Sequence, residues 1–344
     1  MYSDAPRPQA GNAAPAGRKG PSLTLSAALY LLAVVSLVAL GLYSAPVSAF
    51  LARLFPHASL QTLDLLLTAL YYLPFLLLPV ALLLRREGGV EAARLHSISV
   101  RAMLGIVMLA LASVYLVQCV SLLWTMLLEG LGVPYLNTEM VLPTTTQGVM
   151  LMVISIGALP GVCEELFFRG ALLSGFERLG TKRAVILTAV LFALLHGSLA
   201  GLPGQLLLGL MLGYLAFAFD SVYASITFHT VYNAAIVLIN VYMAGGEVTA
   251  EEEALLSQGT FAYMGGWSGV VWIVVYMAVL LWLVRGFVQL TERRRRALEI
   301  RPLPAREKSM PAGAAAMLVL AALIQLGVYA LNTYAASVAL GGAA

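Results

Sequence analysis

LMVISIGALPGVCEELFFRGALLSGF, residues 151–176, is apolar enough and long enough to cross a bilayer, yet it carries Glu164, Glu165 and Arg169. A bilayer core needs about 20 predominantly apolar residues in helical form. In lipid, a backbone satisfies its polar groups only within the segment or inside a closed barrel. If the stretch is a membrane helix, its three charges sit where each ionised side chain costs roughly 2.5 kcal/mol or more on insertion scales. An intramembrane charge of that cost marks a functional site by default.

The rest of the chain agrees with a membrane reading. Of 344 residues, 60% are hydrophobic and 11% charged, against about 25% charged in soluble domains. That composition excludes an ordinary soluble globular protein and predicts an all-α, polytopic membrane protein. About nine spans are predicted, near 24–43, 63–84, 102–127, 148–176, 183–199, 204–219, 221–243, 268–290 and 312–334. The fourth is too long for one straight crossing and contains Pro160, so a kink or break is expected there. Four regions follow: a Pro/Gly/Ala-rich disordered tail at 1–22, three helices in 23–144, a core in 145–245, and two helices in 246–344 around a basic loop at 291–308. A cleaved signal peptide is the rival reading of the first span, and the long apolar stretch behind a polar tail argues against it.

Charge placement supports the layout. All but Arg53 of the 20 Lys and Arg fall on one side of the predicted spans. The loops 129–147 and 244–267 carry only acidic charges. By the positive-inside rule the N-terminus is cytoplasmic and the C-terminus outside, as expected for a cell-membrane protein. The RRRR run at 293–296 is read as a topology signal, so no nucleic-acid partner is expected.

The remaining polar residues at membrane depth are few: His196 in the fifth span, and His229 with Asn233 in the seventh. Adjacent helical positions diverge by about 100°, so Glu164 and Glu165 take different roles. Glu165 and Arg169, at i and i+4, suit an ion pair. His229 and Asn233 share that spacing, and His196 follows Phe192 by it. At 1.5 Å per residue, Glu164, His196 and His229 lie about 18, 20 and 12 Å from the cytoplasmic ends of their spans, a common slab in which they can converge. Glu164, free of the arginine, is expected to face the two histidines.

A carboxylate, two imidazoles and a carboxamide can hydrolyse an amide bond through activated water. The carboxylate is the general base, and an imidazole and an amide N–H donate to the developing oxyanion. There is no G-x-S-x-G elbow, and Cys163 diverges from its neighbour Glu164, which disfavours a covalent nucleophile. No metal is expected. If zinc bound, its ligands would be Glu164, His196 and His229, although H-E-x-x-H is absent.

The pattern E-E-x-x-x-R (Glu164, Glu165, Arg169), F-x-x-x-H (Phe192, His196) and H-x-x-x-N (His229, Asn233) resembles the CAAX protease and bacteriocin-processing family. The resemblance covers about 145–245. It implies an intramembrane endopeptidase in which Glu164 and His196 activate water and His229 and Asn233 stabilise the oxyanion. Glu165, Arg169 and Phe192 would support them. The implied partners are the lipid bilayer and a membrane-associated peptide or protein substrate. A proton-coupled transporter and a non-catalytic peptide-binding immunity or scaffold protein are the rivals. The absence of a visible internal repeat weighs against the first.

Overall fold

The structure, a computed structural model, describes residues 20–85, 89–135, 142–244, 254, 258–297 and 307–341. Among these residues every regular element is a helix. In chain order they are α1 (Leu23–Leu54), α2 (Leu60–Tyr72), α3 (Leu78–Leu84), α4 (Gly89–Ala92), α5 (Val100–Gly130), α6 (Thr146–Leu179), α7 (Thr181–Leu195), α8 (Leu202–Ala218), α9 (Val222–Ala244), α10 (Thr260–Tyr263), α11 (Trp267–Ala297) and α12 (Ala312–Gly341). The starts of α1, α2, α5 and α6 share one cause. Ser22, Ser59, Ser99 and Thr145 each accept a hydrogen bond from the amide three residues on, satisfying one of the orphan donors of a helix start.

Among the described residues six helices are long and apolar enough to cross a membrane, fewer than the nine spans expected: α1, α5, α6, α9, α11 and α12. The other three expected spans take different forms. The 63–84 span is α2 and α3 joined through a π-helical turn, Leu73–Leu77. The spans at 183–199 and 204–219 are α7 and α8, a hairpin whose arms of 15 and 17 residues reach about 22 and 26 Å, short of a roughly 30 Å core. His196 is therefore at the end of a helix and not within one. It caps the C-terminus of α7, followed by Gly197 at φ +63°, the left-handed residue that ends a helix. The Gly197 signal was readable in LLHGSLAG, but the apolar residues on either side of it masked the stop.

Of the kink or break expected at Pro160, a break is not found: the helix continues with a change of pitch. α6 runs on through two π-helical turns, Val153–Ala158 and Leu166–Leu172, with Pro160 directly after the first. A π turn rephases the faces of a helix without ending it, and such turns gather at functional sites. Small residues then let α6 and α9 touch. Gly157 faces Ala234, and a Cβ on Gly161 would overlap Thr230 Oγ1 and lie 2.9 Å from its backbone nitrogen. Membrane helices pack through such small residues because lipid supplies no hydrophobic drive between them. Gly161→Ala is expected to cost about 1–3 kcal/mol by overpacking, read as a lower melting temperature in detergent.

The loops that the charge pattern assigns to one side meet in space. Arg94, between α4 and α5, lies 2.6 Å from Glu177 at the end of α6 and 3.8 Å from Asp220 in the α8–α9 turn. His96 Nδ1 is 2.7 Å from the Asp220 carbonyl, and Ser221 Oγ donates to the His96 carbonyl. Arg178 pairs with Glu307 at 3.4 Å and donates to the Pro21 carbonyl. At the opposite end of α5, Glu129 accepts from Tyr135 at 2.7 Å and from the Thr260 amide at 3.1 Å. Most of the expected tail, 1–19, and the part of the basic loop at 298–306 lie outside the described residues.

Candidate active site

The stripe Gly157, Gly161, Glu165, Arg169 on α6 follows one i, i+4 row, so Glu165 must point where the glycines point, at α9. His229 waits there, with Nδ1 2.9 Å from Glu165 Oε1. The same oxygen accepts from Arg169 Nη1 at 2.7 Å, and Arg169 Nη2 donates to the Gly209 carbonyl on α8 at 3.0 Å. Glu165 and Arg169 are completely buried and His229 is 1% exposed. Each buried charge is hydrogen-bonded and paired, the condition under which such groups are tolerated.

Phe192 is the spacer of this cluster. The Arg169 guanidinium lies 4.6 Å from its ring centroid. The rings of His196 and His229 lie 4.6 and 5.7 Å from it. Asn233, one turn beyond His229, donates from Nδ2 to the Ile156 carbonyl at 2.9 Å, in the first π-helical turn of α6.

Glu164 faces elsewhere. It accepts from the Tyr72 hydroxyl at 2.6 Å through Oε1, while its Oε2 is buried and has no hydrogen-bond partner. With His196 it lines a cavity of about 300 Å³ completed by Leu37 and Leu40 of α1, Thr68, Tyr71 and Tyr72 of α2, and Leu195. His196 Nδ1 lies 2.8 Å from the Phe192 carbonyl. A carbonyl only accepts, so Nδ1 carries the hydrogen and donates it.

The expected convergence on Glu164 is thus divided. His196 shares its cavity, whereas His229 belongs to Glu165. The reason is the helical phase set by Gly157 and Gly161, which turns Glu165 toward α9 and leaves Glu164 toward α2. The three residues a zinc ion would need, Glu164, His196 and His229, are not gathered. Among the described residues no group of three or more His, Cys, Asp or Glu side chains is placed to hold a metal.

The loop behind His196 is held by helices far away in sequence. Tyr329 on α12 donates to the Ala193 carbonyl at 3.2 Å and Asn332 to the Gly197 carbonyl at 3.0 Å. Trp124 on α5 donates to the Leu199 carbonyl at 2.8 Å. These donors tie the α7–α8 connection to α12 and α5. Tyr329→Phe combined with Asn332→Ala is expected to lower the turnover of any reaction using His196 about 10-fold, since small displacements of a reacting group are costly. The measurement is kcat beside a melting curve that barely moves.

A carboxylate and an imidazole line one cavity inside the helical bundle. Comparison with known families gives that arrangement a context. Residues 146–235 match the family model described as Rce1-like, type II CAAX prenyl endopeptidase Rce1-like. The matched segment takes in α6, α7, α8 and most of α9, with Glu164, Glu165, Arg169, Phe192, His196, His229 and Asn233 all inside it. Over this segment the chain is similar to that family of proteases, in keeping with the three motifs. No curated protein and no solved structure matches the chain. Tyr72, Tyr329, Asn332 and Trp124 lie outside the matched segment and carry no motif.

Proposed function

We propose that the protein is an intramembrane endopeptidase that hydrolyses a peptide bond of a membrane-associated peptide or protein using water activated by Glu164 and His196. One observation carries the reading: the two side chains share a cavity, and the second oxygen of Glu164 is buried without a partner. Water placed at that oxygen loses its proton to the carboxylate as it attacks the scissile carbonyl, and the carboxylate or His196 returns a proton to the leaving nitrogen. His229 and Asn233 are the proposed oxyanion donors. Asn233 uses one amide hydrogen on Ile156 and has a second to give. With its Nδ1 on Glu165, His229 can donate from Nε2 only as the doubly protonated ring, which the Glu165 carboxylate would balance. Glu165, Arg169 and Phe192 hold His229 and His196 apart at fixed spacing.

We propose that the chemistry is metal-free, since the separated ligand set supports water activation by side chains. The segregated Lys and Arg support a cell-membrane protein with its N-terminus in the cytoplasm and its C-terminus outside.

The test is cleavage of a membrane peptide library by the purified protein in lipid nanodiscs, with Glu164→Ala and His196→Ala beside the wild type. Cleavage is expected from the wild type alone. Undiminished cleavage by both variants would overturn the mechanism. Loss of activity with a chelator, restored by zinc, would overturn its metal-free form.

A further inference from the structure

Tyr72 stands outside every motif and outside the segment 146–235, yet its hydroxyl is the hydrogen-bond partner of Glu164, at 2.6 Å. It is the last residue of α2, immediately before the π-helical turn Leu73–Leu77 that contains Pro74. Its neighbour Tyr71 turns the other way and donates to the Ala33 carbonyl on α1 at 3.3 Å. One tyrosine pins α2 to α1, and the other carries α2 across to α6. Both border the cavity shared by Glu164 and His196.

We infer that Tyr72 is a positioning residue for Glu164, so that the reacting unit includes α2 as well as the matched segment. A carboxylate has two equivalent oxygens and a terminal torsion with broad wells. Alone in an apolar cavity, Glu164 could present either oxygen in many orientations. The O–H of Tyr72 engages Oε1 and makes the two oxygens unequal, leaving Oε2 as the one that meets water. A hydrogen bond between a neutral donor and an ionised acceptor is short and strong, and at 2.6 Å this one lies in the range for such pairs. Phenylalanine would fill the same space without that constraint.

This inference rests on the role proposed for Glu164, and the experiment separates the two. A quenched-fluorescent peptide chosen from the library for cleavage by the wild type is assayed with Tyr72→Phe, Glu164→Gln and Tyr30→Phe. Tyr30→Phe removes a buried hydroxyl of the same kind, which donates to the Leu191 carbonyl at 2.8 Å away from the cavity. Tyr72→Phe is expected to lower kcat about 10- to 100-fold with KM within about twofold, whereas Tyr30→Phe keeps the wild-type kcat. A wild-type kcat in Tyr72→Phe, with Glu164→Gln inactive, overturns the role of Tyr72 and leaves the mechanism standing. A raised KM with unchanged kcat also overturns it, because it makes Tyr72 a substrate contact. Undiminished turnover in Glu164→Gln overturns the mechanism itself. Should Tyr72→Phe melt below the assay temperature, a fluorinated tyrosine at position 72 keeps the shape and alters the acidity of the donor. A kcat equal to wild type across the pH range would then overturn the inference.

Discussion

Glu164→Gln is expected to reduce kcat/KM by about three orders of magnitude, within the range for removal of a general base, and to leave the fold intact. Both parts follow from where the side chain sits. The glutamine is isosteric, and its carbonyl can still accept from Tyr72, but its amide cannot take a proton from water. Among the described residues Glu164 makes no salt bridge to Arg169, although its charge acts on the guanidinium, and its hydrogen bond is to a neutral phenol. Removing its charge therefore breaks no ion pair, and a melting temperature close to wild type is expected. His196→Ala should lose activity without that neutrality, because Phe192 and Leu195 pack beside the ring. Progress curves on one peptide, with melting curves alongside, decide the matter. A Glu164→Gln protein that melts like wild type and cleaves like wild type would remove Glu164 from the chemistry.

The unequal roles of Glu164 and Glu165 were legible from periodicity, because adjacent residues on any helix diverge. Their partners were only half legible. Reading the row Gly157, Gly161, Glu165, Arg169 as one contact stripe would have assigned Glu165 to α9, and hence to His229, without coordinates. Depth and spacing alone bring both histidines to Glu164, and the glycine stripe is what separates them. The end of α7 was legible in Gly197, but it was hidden by apolar residues continuing on both sides. Tyr72 was not legible. A tyrosine is at home in an apolar helix, no spacing links position 72 to position 164, and only the crossing of α2 over α6 brings them together. The same holds for Tyr329 and Asn332, whose contacts with the His196 loop span about 135 residues of chain. The local chemistry of this site is written in the sequence as residue types at helical spacings. Its supports come from interhelical contacts that a one-dimensional pattern does not record.

Arg169→Ala is the substitution expected to cost most stability, about 3–5 kcal/mol, because it breaks a buried ion pair from one side. The guanidinium donates to Glu165 on its own helix and to the Gly209 carbonyl on α8, and it stacks on Phe192 of α7. Its removal loosens three helices at once. It also takes the guanidinium from the fully buried Glu165, leaving His229 and Ser225 beside it. A loss of that size is a large part of the 5–15 kcal/mol that typically separates folded from unfolded domains, and a fall of about 10 °C or more in melting temperature is expected. Replacing both members of the pair distinguishes charge balance from packing. Arg169→Met with Glu165→Gln removes the charge and the countercharge together, and such paired replacements are often neutral or stabilising. The double variant should therefore recover most of the melting temperature lost by Arg169→Ala. It should not recover cleavage, because His229 then donates to a neutral amide and loses the carboxylate that balances its charge. If Arg169→Ala alone melts like wild type, the network does not hold these helices together. If the double variant cleaves like wild type, His229 needs no carboxylate behind it, and its proposed oxyanion role loses its physical basis.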